Sequence, residues 1–192
     1  MLFRSALAIA QLHERALATA MLTGDAQAPA RATAARLGLD EVHAELTPET
    51  KSRAIDALRA LHGPVAMVGD GINDAPALAA ADISIAIGGG TDVALETAAI
   101  TLMRPDLRLV PAALDIAART QAKIRQNLFF AFVYNVVGVP LAALGWLSPE
   151  VAGLAMAMSS VSVVSNALML ARWSPRLAAL DASAAGEKTA RS

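Results

Sequence analysis

Short apolar runs broken by polar, glycine and proline positions fill the first half of the chain, and two long uncharged apolar runs fill much of the second. Leu2, Leu7, Ile9 and Leu12 form an uneven apolar face that predicts a first helix, and Ala16 to Leu22 reads as a short buried strand ending at Thr23-Gly24-Asp25. Ala28 to Leu37 predicts a helix that Pro29 starts near its first turn and Gly38 stops. Val42 to Leu46 predicts a second strand. Thr47-Pro48-Glu49 then supplies an N-cap with proline just inside a helix that runs to about Leu61, with Ile55, Leu58 and Leu61 on one face. A strand at Val65 to Val68, a helix at Ala75 to Ala80, a strand at Ile83 to Ile87, the turn Gly88-Gly89-Gly90, a helix near Val93 to Ala98 and a strand at Ile100 to Met103 follow. Strands alternating with helices predict a parallel sheet covered on both faces, with ligands at the carboxyl ends of the strands.

Asn127 to Trp146 and Val151 to Ala171 carry no charge. Each matches the ~20 residues needed to cross a hydrocarbon core of roughly 30 Å. Only Leu147, Ser148, Pro149 and Glu150 separate them, which predicts a tight helical hairpin. Arg119, Lys123 and Arg125 precede the first run, Arg172 and Arg176 follow the second, and the connecting loop has no Lys or Arg. The excess of basic residues at both outer ends places both termini in the cytoplasm. The competing reading is two buried helices of a soluble core, and matching basic flanks around two successive uncharged runs weigh against it.

Polar side chains interrupt these runs. Asn127, Tyr134 and Asn135 lie in the first, near Pro140; in the second, Met156, Ser159 and Ser160 share a helix face, with Ser162 and Asn166 further along. Taken alone, these residues favour a small-residue packing face. The alternative is a soft-metal site, because thioether sulfur suits Cu(I) far better than Zn2+ or Ca2+.

Composition narrows the classes. The chain has 192 residues, 55% of them hydrophobic, a net charge of −1 and no cysteine. A mean hydropathy of +0.47 is high for a soluble domain, and the excess sits in the second half, so the chain reads as part soluble, part membrane. Near-zero charge provides no electrostatic case for nucleic acid, and absent cysteine removes thiolate metal sites. Met1 to Ala10 reads as amphipathic helix rather than signal peptide. The segment after Trp173 is polar and small and reads as a flexible tail.

Candidate chemistry centres on Val65 to Leu78, where an apolar strand delivers Asp70, Asn73 and Asp74 to a loop before Pro76 opens a helix. Two carboxylates four residues apart across a glycine suit Mg2+, and Asn73 adds an uncharged contact. Thr23 and Asp25 follow the first strand, and Lys51 lies on the helix that follows the second. A hydroxyl, an ammonium and a carboxylate pair around one crevice are what phosphoryl chemistry requires. Singly, Thr23-Gly24-Asp25 is more often a turn, and Lys51 a solvated charge.

Together, Thr23-Gly24-Asp25, Pro48 with Lys51, and Gly69 to Pro76 resemble the second, third and fourth motifs of the haloacid-dehalogenase-like phosphorylation domain of a P-type ATPase, and Gly88 to Ala94 resembles that family's next segment. The fold implied is a partial Rossmann-type parallel sheet domain followed by a two-helix transmembrane hairpin. By the resemblance Thr23 binds the transferred phosphoryl group, Lys51 stabilises it, and Asp70 holds Mg2+ with Asn73 and Asp74 completing the site. Asn127, then Tyr134-Asn135, then Pro140, with Met156 and Ser159-Ser160 later, resembles the last two membrane helices of the copper(I)-transporting branch. Tyr134, Asn135, Met156 and Ser159 are then the expected Cu+ ligands, with Ag+ as a second candidate cargo. A zinc or cadmium pump is expected to carry an acidic residue in its last helix, and none stands between Val151 and Ala171.

The implied organisation is a phosphorylation domain over residues 1–107, a cytoplasmic connecting helix over 108–126, membrane helices over 127–172 and a tail over 173–192, in a multi-pass protein of the plasma membrane. The implied reaction is ATP-driven phosphorylation and hydrolysis of an aspartate upstream of this stretch, with Leu109 to Gln126 relaying the change to the membrane. The expected partners are the bilayer, the cuprous ion and the rest of the pump: actuator domain, nucleotide-binding domain and other membrane helices. No Asp-Lys-Thr-Gly or Cys-Pro-Cys is present, so the chain alone is expected neither to hydrolyse ATP nor to move copper. Ala26 departs from the asparagine usual after Thr-Gly-Asp. A standalone phosphatase, or an inactive relic or partner subunit, are the rival readings.

Overall fold

Each strand pairing in the computed structural model is parallel, as the alternation of strands and helices requires. The structure describes residues 2–70, 72–88, 98–171 and 173. It divides into a first unit, Met1–Pro111, and a second, Ala112–Ser192. In the first, α1 (Leu2–His13) is followed by β1 (Ala20–Leu22), α2 (Gln27–Leu37), β2 (Glu41–His43), α3 (Pro48–His62) and β3 (Ala66–Gly69). A 3-10 turn (Ile72–Asp74), α4 (Ala75–Ala80), β4 (Ile83–Ile87) and β5 (Ile100–Leu102) complete it. The strands form two sheets, β1–β2 and β3–β4–β5, where a single sheet was expected. No described strand pairs with both β1 and β3, so the ladder breaks between them.

The three-stranded sheet is packed on both faces because its side chains alternate. Met67 joins Ile55 of α3 with Ala77 and Leu78 of α4 in one apolar cluster, against which Leu22 packs. Val68, one residue on, faces the other way, into a cluster of Ile85, Leu102 and Val110 that Leu12 of α1 helps to cover. The register Val68 opposite Ile85 puts those two on the same face. Gly88 allows the ends of β4 and β5 to approach: a Cβ there would lie 2.4 Å from the Leu102 carbonyl oxygen.

Several boundaries differ from expectation for identifiable reasons. β1 begins at Ala20 rather than Ala16, because Ala16 is left-handed (φ 56°) and Thr19 is held by Asp40, whose Oδ2 accepts from its backbone N–H (2.7 Å) and hydroxyl (2.9 Å). β2 stops at His43, since Glu45 (φ 58°) turns the chain out of extended geometry. Leu61 is 72% exposed, whereas Ile55 and Leu58 are buried; at about 100° per residue Leu61 lies roughly 240° around the helix from Ile55. α3 has its expected start, with Thr47 and Thr50 forming a reciprocal capping box. α2 ends as expected at Gly38 (φ 74°). Gly71, Gly89, Gly90 and most of the expected helix near Val93 to Ala98 lie outside the described residues.

In the second unit, α5 (Leu109–Ala143, whose first residues belong to the first unit) and α6 (Pro149–Ala171) are long and apolar enough to cross a membrane. α5 stops three residues before Trp146, because Gly145 (φ 72°) turns the chain and the Trp146 N–H donates to the Leu141 carbonyl. Phe129, Val136, Leu154 and Leu168 are all more than half exposed. A helix pair inside a soluble core would bury them; lipid would cover them. Arg172, Arg176 and the tail from 174 onwards lie outside the described residues.

Asp82 ties the sheet to α3: its Oδ2 accepts from the Val65 N–H (2.8 Å) and from Arg59 Nε (3.0 Å). The Val65 N–H, then the Arg59 guanidinium, hold this carboxyl below the usual carboxylate range. Its folded pKa lies below its unfolded value of about 3.9, so the stabilisation is complete above that value and lost as pH falls through the folded pKa. Asp82→Asn is therefore expected to lower the urea midpoint of the first unit at pH 7 and to converge with wild type once pH falls below the folded pKa of Asp82, followed by pulse proteolysis of the full chain.

Candidate functional site

The sequence places a glycine and two carboxylates where β3 runs out, and the fold uses the glycine for close approach. A Cβ on Gly69 would lie 2.8 Å from Asp74 Cβ and 3.0 Å from its Oδ2. The Asp74 carboxylate therefore lies directly over the end of the strand, a position only glycine leaves open. The 3-10 turn Ile72–Asp74 brings the chain back to make this contact, and α4 begins at the next residue with Pro76 in its first turn.

Lys51, one turn into α3, donates from Nζ to Asp74 Oδ1 at 2.7 Å, and both side chains are largely buried, at 13% and 15% exposed. This is a charge-assisted bond in a partly desolvated setting. The Thr23 loop is fastened to the same region from the other sheet. Its backbone N–H donates to the His43 carbonyl, its carbonyl accepts from Leu46 N–H, and Gly24 lies 3.3 Å, measured from an ideal Cβ, from the Leu46 carbonyl oxygen. Thr23 Oγ1 accepts from the Asp25 N–H at 3.1 Å, which closes the turn and leaves its hydroxyl proton to be donated outward. Leu46 leads directly into the Thr47 cap of α3, so the Thr23 loop, the start of α3 and the Asp74 turn form one continuous edge.

Of the residues expected here, the fold joins Lys51 to Asp74 and Thr23-Gly24 to the start of α3; Asp70, Asn73 and Asp25 are exposed on their loops. Ala26 caps α2 without a side-chain bond, and Glu45 Oε1 from the neighbouring loop accepts the Gln27 N–H instead. The substitution of a usual asparagine is thus met by a residue 19 positions on. Asp70 and Asp74 are hard oxygen donors, and Mg2+ takes one or two such carboxylates and keeps its waters. The donor chemistry of an exposed Asp70 and of an Asp74 carboxylate over Gly69 fits that requirement. Among the described residues no three His, Cys, Asp or Glu side chains gather as a metal-holding group.

In the second unit, Tyr134 and Ser159 are half-buried along their helices, whereas Asn135 is exposed and Met156 is 73% exposed. Asn135 donates to the Ala131 carbonyl and Ser160 to the Met156 carbonyl, each within its own helix. The sequence marked Asn127 as a polar residue and the start of the membrane-helix pattern, Asn166 as a polar residue and Lys123 as a flanking charge. The fold connects them: Lys123 Nζ donates to Asn166 Oδ1 (2.6 Å) and Asn166 Nδ2 to Asn127 Oδ1 (2.8 Å). The four-residue spacing of Lys123 and Asn127 was the available signal.

Residues 4–82 match the family of haloacid dehalogenase-like hydrolases. The first unit is therefore a haloacid-dehalogenase-like domain, in agreement with its parallel sheets and the strand-end placement of its polar residues. The chain is 56% identical over 163 residues to a copper-exporting P-type ATPase of Staphylococcus aureus, covering 85% of this chain and 20% of the relative. It is 53% identical over 168 residues to the copper-exporting P-type ATPase of Staphylococcus saprophyticus, covering 88% and 21%. A crystal structure of a zinc-transporting PIB-type ATPase in its E2.Pi state matches with a TM-score of 0.78 at 43% identity, over 87% of this chain and 27% of that one. The chain thus resembles part of a P-type ATPase: a haloacid-dehalogenase-like domain followed by two helices long and apolar enough to cross a membrane. It spans about a fifth of the length of the curated relatives it matches.

Removing one partner of the Lys51–Asp74 pair strands the other in a largely dry setting. Lys51→Met and Asp74→Asn are each expected to destabilise the first unit by roughly 1.5–3 kcal/mol, and the double variant by less than the sum. Urea titration of all four forms tests this, and additive losses would show that the contact contributes nothing of its own.

Proposed function

We propose that this chain is the C-terminal portion of an ATP-driven copper(I)-translocating P-type ATPase of the plasma membrane, with silver(I) as a second cargo. The carrying observation is the hairpin itself: α6 presents Met156 and Ser159 without a single acidic side chain between Val151 and Ala171, and α5 presents Tyr134 and Asn135. A soft thioether with neutral oxygen donors suits a soft monovalent ion, whereas Zn2+ would call for carboxylate, imidazole or thiolate. High identity to copper-exporting relatives over most of the chain supports the same choice over the zinc transporter that its fold also matches.

In this reading Asp70 and Asp74 hold Mg2+, with Asn73 beside them, and the ion supplies charge neutralisation at the phosphoryl group of an upstream aspartate. Thr23 donates to a phosphoryl oxygen from the Thr23-Gly24-Asp25 turn, and Lys51 moves from Asp74 toward the developing negative charge. Residues 1–107 form the phosphorylation domain, 108–126 the connecting helix and 127–172 the membrane pair, with both ends cytoplasmic and the rest of the pump supplying the nucleophile, the nucleotide and the remaining membrane ligands. The uninterrupted course of α5 from Leu109 through the apolar run supports a mechanical relay along that helix. Asn135 and Met156, exposed on their helices, are available to those other membrane helices.

Two outcomes are expected. Reading the coding frame upstream of the Met1 codon should reveal Asp-Lys-Thr-Gly and Cys-Pro-Cys in the same frame; a stop codon there would favour a separate, inactive partner. In nanodiscs, Met156→Ala should weaken Cu(I) binding at least about tenfold by chelator competition, with Zn2+ failing to compete. Equal competition by Zn2+ would exclude the copper reading.

A further inference from the structure

Three contacts link the charged end of α5 to the far end of α6. The Arg119 guanidinium sits 4.9 Å from the centre of the Trp173 ring, Lys123 donates to Asn166, and Asn166 donates to Asn127. Arg119, Lys123 and Asn127 follow one another at four-residue intervals, so they form a ladder on one face of α5. Trp173 lies seven residues beyond Asn166, just past the end of α6, so the Arg119 contact falls on the outer side of the Lys123–Asn166–Asn127 bonds.

This clasp has consequences for the apolar part of the hairpin. Tyr134 is seven residues from Asn127, and Ser159 is seven residues from Asn166 in the opposite direction. Two helices joined by the short connection 144–148 run antiparallel. Two turns above the Asn127–Asn166 bond, about 10.5 Å at 1.5 Å per residue, Tyr134 and Ser159 therefore reach the same depth. Half-buried positions mark the seam between the helices: Asn127, Ala131, Tyr134 and Gly138 on α5, and Asn166, Ser162, Ser159 and Ala155 on α6, taken in facing order. A slip of one turn would put apolar Val163 or Ala155 opposite Tyr134. The apolar side chains along both helices oppose such a slip only weakly, because lipid tails are as apolar as they are.

We propose that Asn166 is a positioning residue: by accepting from the Lys123 ammonium and donating to Asn127 it sets the register of α6 against α5 and holds Tyr134 and Ser159 opposite each other. Lys123 supplies the directionality. An ammonium at the edge of the apolar run is costly without an acceptor, and the Asn166 amide, polarised by it, donates more strongly to Asn127. The consequence for metal binding rests on the copper(I) reading above; the register itself does not.

The chain contains no cysteine, so a pair can be introduced cleanly. Ala131→Cys with Ser162→Cys, one turn in from the clasp, should oxidise rapidly to a disulfide in the full chain reconstituted in lipid vesicles. Asn166→Leu should slow that cross-link about tenfold and Lys123→Met about threefold, whereas Lys123→Arg, which retains a charged donor, should restore the wild-type rate. In the same vesicles, probed with Cu(I) alone against a chelator, Asn166→Leu should weaken binding with Tyr134 and Ser159 intact. An unchanged cross-linking rate in Asn166→Leu overturns the proposal; should that variant fail to insert, an unchanged rate in Lys123→Met, or a Lys123→Arg rate as slow as Lys123→Met, overturns it equally. Tyr134→Phe separates the two readings: it should leave the cross-link rate intact and weaken Cu(I) binding. An unchanged Cu(I) affinity there would count against copper while the register result stands.

Discussion

The contact on which the soluble unit depends is the 2.7 Å bond between Lys51 and Asp74. It spans the join between α3 and the turn after β3, and Gly69 makes room for it by having no side chain. Removing either partner would leave the other without its charge-assisted bond in a largely buried setting. The pair is the polar counterpart of the apolar cluster of Ile55, Met67, Ala77 and Leu78, which joins the same α3, β3 and α4 elements.

Parallel strands impose the rest of the geometry. Because every pairing runs in one direction, each strand delivers its following loop to the same edge of its sheet. That is why the Thr23 loop and the Asp74 turn, about fifty residues apart, are both built against α3. Among the described residues β1 and β3 are end strands of their sheets, and such edges favour an added strand. In the proposed pump, that strand would come from the part of the protein that carries the phosphorylated aspartate.

The hairpin follows a different logic. Its apolar side chains face outward because lipid, not a protein core, is their natural environment, so little in its apolar composition selects one alignment of the helices over another. Polar side chains must do that work, and Lys123, Asn166 and Asn127 are placed to do it. Met156 and Asn135 stand outside the seam, turned toward what would be further membrane helices in the proposed pump.

Periodicity and turn chemistry sufficed to determine α2, α3 and α4 with their caps, the strand Ile83–Ile87 and both long apolar helices, because these depend on local propensity, on glycine and proline, and on apolar length. Thr23, Lys51, Asp70 and Asp74 stood out through their resemblance to family motifs, since singly Thr23-Gly24-Asp25 reads as a turn and Lys51 as a solvated helix charge. Only the tertiary structure decided the division into two sheets, the Lys51–Asp74 bond over Gly69 and the Asn127–Asn166 bond. Each of those depends on which residues, distant in sequence, reach the same point in space, and no local pattern carries that distance.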